Sequence, residues 1–254
     1  AINEHRSDSR LQVSPPGGEP VFGEQRQFAV RTTMTVRTPS EELRVLLPRG
    51  VILPEQPQAQ LIRENVPSQP ATNGPCATYE VLPSEEVQRI DRVLLVSRRS
   101  VRWDIGEGRE SAVLLEPWFR TGYRRFLAAT EDIPRDHAVV TELRRGLQLR
   151  DPVLEIARAV HASVITELEP DRSGTGDAVR AIETEEAAGA YAYATLATAL
   201  ARSAGVPARR HFGILLDDGG RSVPHAWVEF LVPGIGWLPA DPAVGDGMLG
   251  EDIS

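Results

Sequence analysis

Apolar and polar positions change rhythm once along the chain, near residue 104. Before that point, 28–37 (Phe-Ala-Val-Arg-Thr-Thr-Met-Thr-Val-Arg) is rich in β-branched residues and partly alternates, as a half-buried strand does. Residues 43–47, 61–66, 77–82 and 92–97 are further strand candidates, separated by turn chemistry such as Asn73-Gly74-Pro75. Short strands with turns between them predict an antiparallel sheet or sandwich.

Beyond residue 104 the spacing becomes helical. Asp151-Pro152 opens a segment with Val153, Ile156, Ala157 and Val160 on one face, and proline suits the first turn. A second, alanine-rich helix is expected over 185–203, with Tyr193, Leu196, Ala197 and Leu200 as its buried stripe. Gly205 stops it and Pro207 prevents its resumption. Residues 173–176 (Ser-Gly-Thr-Gly) read as a loop, and 212–241 as strands, with a Pro233-Gly234 turn between Val232 and Gly236. The fold class is α+β. The expected division is an irregular lead-in over 1–25, a β domain over 26–110, a connector with helical segments over 111–150, and a helix-on-antiparallel-sheet core over 151–254.

Composition narrows the function classes. The 254 residues are 41% hydrophobic, enough for a core. No run approaches the roughly 18 apolar residues of a membrane helix, so no membrane partner is expected. The formal charge of −8 argues against nucleic acid, whose phosphates need a surplus of cations. The first residues, Ala1-Ile2-Asn3-Glu4-His5-Arg6, lack the features of a signal peptide, and with the single cysteine, Cys76, they fit a cytoplasmic protein; secretion after signal removal is the alternative. Five scattered histidines and one thiol predict no metal. Gly174-Thr175-Gly176 lacks the lysine of a phosphate loop, so no nucleotide cofactor is expected. All 28 basic residues are arginine. Biased genome composition explains this; so does the harm an exposed primary amine would do beside an activated acyl group.

Three stretches carry candidate chemistry: Ala199-Leu200-Ala201-Arg202-Ser203-Ala204-Gly205-Val206-Pro207-Ala208-Arg209, then Pro224-His225-Ala226-Trp227-Val228-Glu229-Phe230, then Gly236-Trp237-Leu238-Pro239-Ala240-Asp241-Pro242. In this order they resemble the transglutaminase-like superfamily, from about Pro152 to Asp246. The earlier β region, with Leu46-Leu47-Pro48 and Gln60, faintly resembles the β domain that precedes this core in some bacterial members. The resemblance implies a papain-like fold and a Cys-His-Asp triad acting on amides through a thioester, by hydrolysis or by transfer to an amine. It implies no cofactor, and a peptide, protein or small amide as substrate.

By that resemblance His225 is the general base and acid and Asp241 its orienter. Counting back from Arg202, with Tyr193-Ala194 as the aromatic-alanine pair, the cysteine's position falls on Ala190. Glycine stands one before it, at Gly189, where the family commonly has it two before; this leaves a shift of one residue open. Alanine has no group that can attack a carbonyl, and the nearby hydroxyls of Tyr191 and Thr184 do not match the pattern. Either a cysteine has been replaced, or the fold lost its nucleophile naturally and binds a peptide or protein in the former cleft. The intact His225 and Asp241 favour replacement.

Cys76 lies in the β region with no helix start to activate it, and is read as a small apolar filler. Trp227, Trp237 and Tyr191 are the substrate-contact candidates, and for the two tryptophans, which flank the site, wall or core packing outweighs substrate stacking. Glu229 shares a strand face with His225 and Trp227 and is expected to pair with an arginine. Arg202 and Arg209 are expected to cap the helix end and pair at the surface, and His211 to be satisfied without binding a ligand.

Overall fold

The computed structural model describes residues 20–37, 43–48, 56–70, 76–83, 86–103, 105, 121–147, 149, 152–216, 222–245 and 249. The chain divides into two units, built mainly on Phe22–Val101 and Arg102–Ile253.

The first unit holds two three-stranded sheets, ordered β1-β6-β3 and β2-β5-β4. Their strands are β1 (Val21–Val36), β2 (Leu43–Pro48), β3 (Gln58–Glu64), β4 (Gln69–Pro70), β5 (Cys76–Val81) and β6 (Gln88–Arg102). Leu47, Tyr79 and Val81 from the second sheet and Ile90 from the first bury together, with Met34 and Val36 against them, so one core joins the sheets. The polar phenol tip of buried Tyr79 is satisfied by donating to Glu64 Oε2 at 3.0 Å. Two expectations need correction. β1 and β6 run 16 and 15 residues, much longer than the alternating stretches at 28–37 and 92–97. The unpredicted ends are mostly polar, with only Ile90 and Val101 buried among them, and cross-strand pairing extends them beyond the apolar pattern. β1 also begins inside the expected lead-in, whose residues 1–19 lie outside the described residues.

The second unit contains α1 (Ala138–Gly146), α2 (Val153–Glu167), β7 (Pro170–Thr175), α3 (Ala178–Thr184), α4 (Ala190–Ser203), β8 (Ala208–Leu216), β9 (Ser222–Val232) and β10 (Gly236–Ala240). α2 starts as its spacing predicts, and Val153, Ile156, Ala157 and Val160 are buried. Asp151, and the connector's 116–120, lie outside the described residues. β8, β9 and β10 form an antiparallel sheet in that lateral order, β10 at one edge and β8 at the other. α4 packs on β8 and β9 and against α1, α2 and α3.

α4 departs from the sequence reading in two ways. It is buried all round from Ala192 to Arg202 rather than along one stripe, because five of those eleven residues are alanines that let neighbours approach on every side. It also starts at Ala190, not near 185. Glu185, with φ 54°, ends α3, and the chain then runs extended, pairing Ala188 with Pro170 and Thr175. The stretch 173–176 is correspondingly the end of β7 and the bend after it, not a loop. Gly174 is required there: a Cβ on it would meet the carbonyl oxygen of Ala187 at 2.5 Å. Gly205, with φ 87°, ends α4 as expected.

Candidate active site

The register of the sheet builds the site. β9 pairs with β8 so that His225 stands opposite Gly213, Trp227 opposite His211 and Glu229 opposite Arg209. Directly opposed residues share a sheet face, so His225, Trp227 and Glu229 form one face with His211 and Arg209. The alternating residues Ala226, Val228 and Phe230 are buried. Gly213 admits Trp227: a Cβ there would lie 2.7 Å from the indole.

His225 and Asp241 are brought together. His225 Nε2 lies 2.5 Å from Asp241 Oδ2. The second carboxylate oxygen, Oδ1, accepts the Ala243 N–H at 3.1 Å, so both oxygens of a carboxyl only 3% exposed are engaged. An ionised carboxylate can only accept, so this contact suits an imidazole that carries its proton on Nε2 and keeps a lone pair on Nδ1.

Ala190 is the first residue of α4 and Gly189 its N-cap, without a side-chain cap. Ala190 thus stands at a helix start. N–H groups of a first helical turn have no intrahelical acceptor and favour negative charge. The position is held from behind. Gly189 N–H donates to Thr175 O at 2.9 Å, Ala188 N–H to Glu169 O at 2.7 Å, and Thr175 N–H to Ala187 O at 2.9 Å. Tyr193, one turn on, donates its hydroxyl to Leu168 O at 2.5 Å.

The first turn of α4 reaches the sheet through Tyr191. Its ring stacks on Phe212 of β8 at 5.3 Å between centroids, and the Arg210 guanidinium lies 4.1 Å from the Tyr191 ring and 4.8 Å from that of Phe212. Phe212 is the register partner of Ala226, the residue after His225. No motif singles out Phe212 or Arg210; the sequence signal for them is the strand pattern Arg210, Phe212, Ile214.

The two tryptophans pack. Trp227 stacks on His211, centroids 5.5 Å apart and planes at 14°. Trp237 takes Phe126 edge-on at 4.8 Å and carries the Arg209 guanidinium 4.1 Å above its ring. Glu229 pairs with an arginine as expected: its Oε2 lies 2.5 Å from Arg209 Nε and 2.9 Å from His211 Nε2. Burial raises the Glu229 pKa, but the charges of His211 and Arg209 outweigh it and bring the carboxyl down to about 2. His211 Nε2 is thus turned to the Glu229 carboxylate. The expectation for Arg202 is corrected. It is fully buried, donating from Nε to Ala208 O at 3.0 Å and from Nη1 to Ala128 O at 2.8 Å, so it ties the chain after and before α4 instead of capping the helix. Arg209 pairs within the sheet face, with its side chain 20% exposed, rather than at the open surface. Cys76 begins β5 in the first unit.

Among the described residues no group of three His, Cys, Asp or Glu side chains is placed to hold a metal, and no helix is long and apolar enough to cross a membrane.

A search of curated proteins finds no match. The solved structure of a candidate cysteine protease from Cytophaga hutchinsonii superposes with a TM-score of 0.70 at 15% identity, covering 93% of this chain and 83% of that one. The periplasmic domain of TgpA from Pseudomonas aeruginosa aligns at 17% identity and a TM-score of 0.39, covering 88% and 74%. The model of the transglutaminase-like superfamily matches residues 138–242, the segment that runs from the start of α1 past Asp241. Residues 138–242 are thus similar to the core of the transglutaminase-like superfamily.

Proposed function

We propose that this fold carries out acyl chemistry on amides with a cysteine at position 190, and that the chain with Ala190 is its inactive form. The observation that carries the reading is the His225–Asp241 pair. A buried carboxylate fixes an imidazole on the strand next to the one that the first turn of α4 touches. A binding module has no chemical need of such a pair. The fold shared with the C. hutchinsonii protein, described as a candidate cysteine protease, is in keeping with it.

In the proposed mechanism the thiol of a cysteine at position 190 gives its proton to His225 Nδ1, and the thiolate is favoured by the start of α4. Sulfur attacks the amide carbon, and first-turn N–H groups receive the oxyanion. Collapse breaks the C–N bond while His225 returns the proton to the departing amine, leaving a thioester. Water or a second amine then attacks the thioester and passes its proton to the same imidazole; the C–S bond breaks, releasing the acid or the new amide, and the imidazolium returns the proton to the sulfur. Asp241 stabilises the imidazolium throughout and does not itself take the proton.

The test is the Ala190→Cys protein, alkylated with iodoacetamide between pH 5 and 9. The thiol is expected to react at pH 6 at least tenfold faster than free cysteine, and His225→Ala in the same background to remove that excess. A thiol that tracks free cysteine across the range overturns the reading. A blocked glutamine peptide offered with methylamine then separates the two outcomes by mass, free acid from hydrolysis and methylamide from transfer.

A further inference from the structure

Gly213 has no local reason to be glycine. It lies inside β8, where glycine weakens a strand, and its φ is not positive. The reason lies across the strands. Gly213 is the register partner of His225, so a side chain at 213 would stand on the His225 face, its Cβ about 4.5–5.5 Å from that of His225. Trp227 takes that place. A Cβ on Gly213 would meet Cζ3 and Cη2 of the indole at 2.7 and 3.0 Å. The ring thus reaches past its own partner, His211, and covers the residue opposite His225.

The indole is backed from below. It stacks on His211, with planes 14° apart and centroids at 5.5 Å, and His211 Nε2 lies 2.9 Å from Glu229 Oε2. His225 leans the other way, away from β8. Its Nε2 meets Asp241 Oδ2, and Asp241 follows Ala240, the β10 partner of Val228. A histidine side chain has three staggered settings at its first torsion, and only some of them point at a given neighbour. Aim matters for a group that moves a proton, since a misplacement of about 1 Å can cost about a hundredfold in rate.

From this geometry we infer that Trp227 is a positioning residue for His225. Its ring closes the β8 side to the imidazole, which holds Nε2 on the Asp241 carboxylate and keeps Nδ1 turned outward from that pair. Gly213 belongs to the same device, because only a residue without a side chain lets the indole lie there. The inference rests on the function proposed above for what the aimed imidazole does, and adds to it the residue that aims it.

The chain with Ala190 serves as the test, read by proton NMR. An imidazole proton held on a buried carboxylate exchanges slowly and appears far downfield of the backbone amides, whereas a free one is lost to water. The His225 Nε2 proton is identified by its disappearance in His225→Gln. Trp227→Ala is expected to speed its exchange at least tenfold or to abolish the signal. Gly213→Ala, which keeps the tryptophan but pushes its ring away, should do the same. Adding Trp227→Phe to Gly213→Ala should bring the signal back, since the shorter ring leaves room for the methyl group. Val228→Ala, fully buried on the other face of β9, should lower Tm and leave the signal in place. In the Ala190→Cys protein, Trp227→Ala is expected to lower kcat on the blocked glutamine peptide at least tenfold with KM within twofold. Thermal melts establish that each variant is folded; should Trp227→Ala not fold, Gly213→Ala decides in its place. A proton signal unchanged in the Trp227→Ala and Gly213→Ala chains, or lost equally in Val228→Ala, overturns the inference. Failure of the catalytic reading registers separately, as an unactivated thiol in the Ala190→Cys alkylation.

Discussion

At Glu229 the stability of the sheet face is set by one charge. Its ordinary pKa of 4.5 falls to about 2 in the fold, because the His211 and Arg209 charges outweigh the burial that opposes ionisation. A carboxyl depressed in the folded state stabilises it at pH values above the unfolded pKa, and that stabilisation is lost as pH falls through the folded one. The contribution is about 3 kcal/mol, fully present above pH 5 and gone near pH 2. Glu229→Gln is therefore expected to cost about 2–3 kcal/mol at pH 7 in urea melts. Its stability is also expected to fall less steeply than the parent's between pH 4.5 and 2; parallel profiles would count against the ion pair. In the proposed mechanism Asp241 acts instead on chemistry. In the Ala190→Cys protein, Asp241→Asn keeps its oxygen on the Ala243 N–H and turns an NH2 toward His225 Nε2, which loses the acceptor for its Nε2 proton, and kcat/KM on the blocked glutamine peptide is expected to drop at least a hundredfold. The pairing of Glu229 with an arginine followed from strand alternation, and the meeting of His225 with Asp241 from the order of the two motifs. The buried state of Arg202 was not: its partners, Ala128 O and Ala208 O, include one 74 residues away.

The elements that aim Ala190 depend on glycine more than on helix propensity. β7 and the extended 186–189 run close enough that Gly174 has the carbonyl group of Ala187 where a side chain would begin. Gly174→Ala is expected to push that strand aside and to disturb the N-cap of α4. In the Ala190→Cys background it should slow alkylation at pH 6 by at least tenfold and lower Tm by several degrees. Gly122→Ala, where nothing lies within 4 Å of the added carbon, is the matched control and should change neither. Arg202 works at the other end of α4. Arg202→Met keeps much of the bulk but strands two carbonyls, for an expected loss of about 2–4 kcal/mol, and Arg202→Lys should recover only part of it because an ammonium lacks the planar fork. The elements themselves were unevenly readable. The start of α2, the end of α4 and the strands of the β8–β10 sheet followed from periodicity and turn residues. The start of α4 did not, since Glu185, Glu186 and the alanines after them suit a helix locally. Pairing of Ala188 with Pro170 and Thr175 overrides that preference, and it is a long-range contact that no local window contains.

On the scale of the whole molecule, each unit has a core of its own. Leu47, Ala77, Tyr79, Val81 and Ile90 bury together in the first. The second gathers residues from Ile133 to Leu249 around α4, with Trp103 and Ile105 packed against them. The family match lies wholly within the second unit, so the proposed chemistry needs no side chain from the β strands before it. A unit that buries its own apolar surface folds on its own when that surface is large enough, and about 150 residues suffice. A protein spanning 102–254 is therefore expected to fold alone, with a cooperative urea transition and backbone amide shifts for α4 and β9 that match those of the full chain. Carrying Ala190→Cys, it should keep the fast alkylation at pH 6. An unfolded fragment would mean that the first unit completes the second; a folded fragment with a sluggish thiol would mean that the β strands help to set the nucleophile.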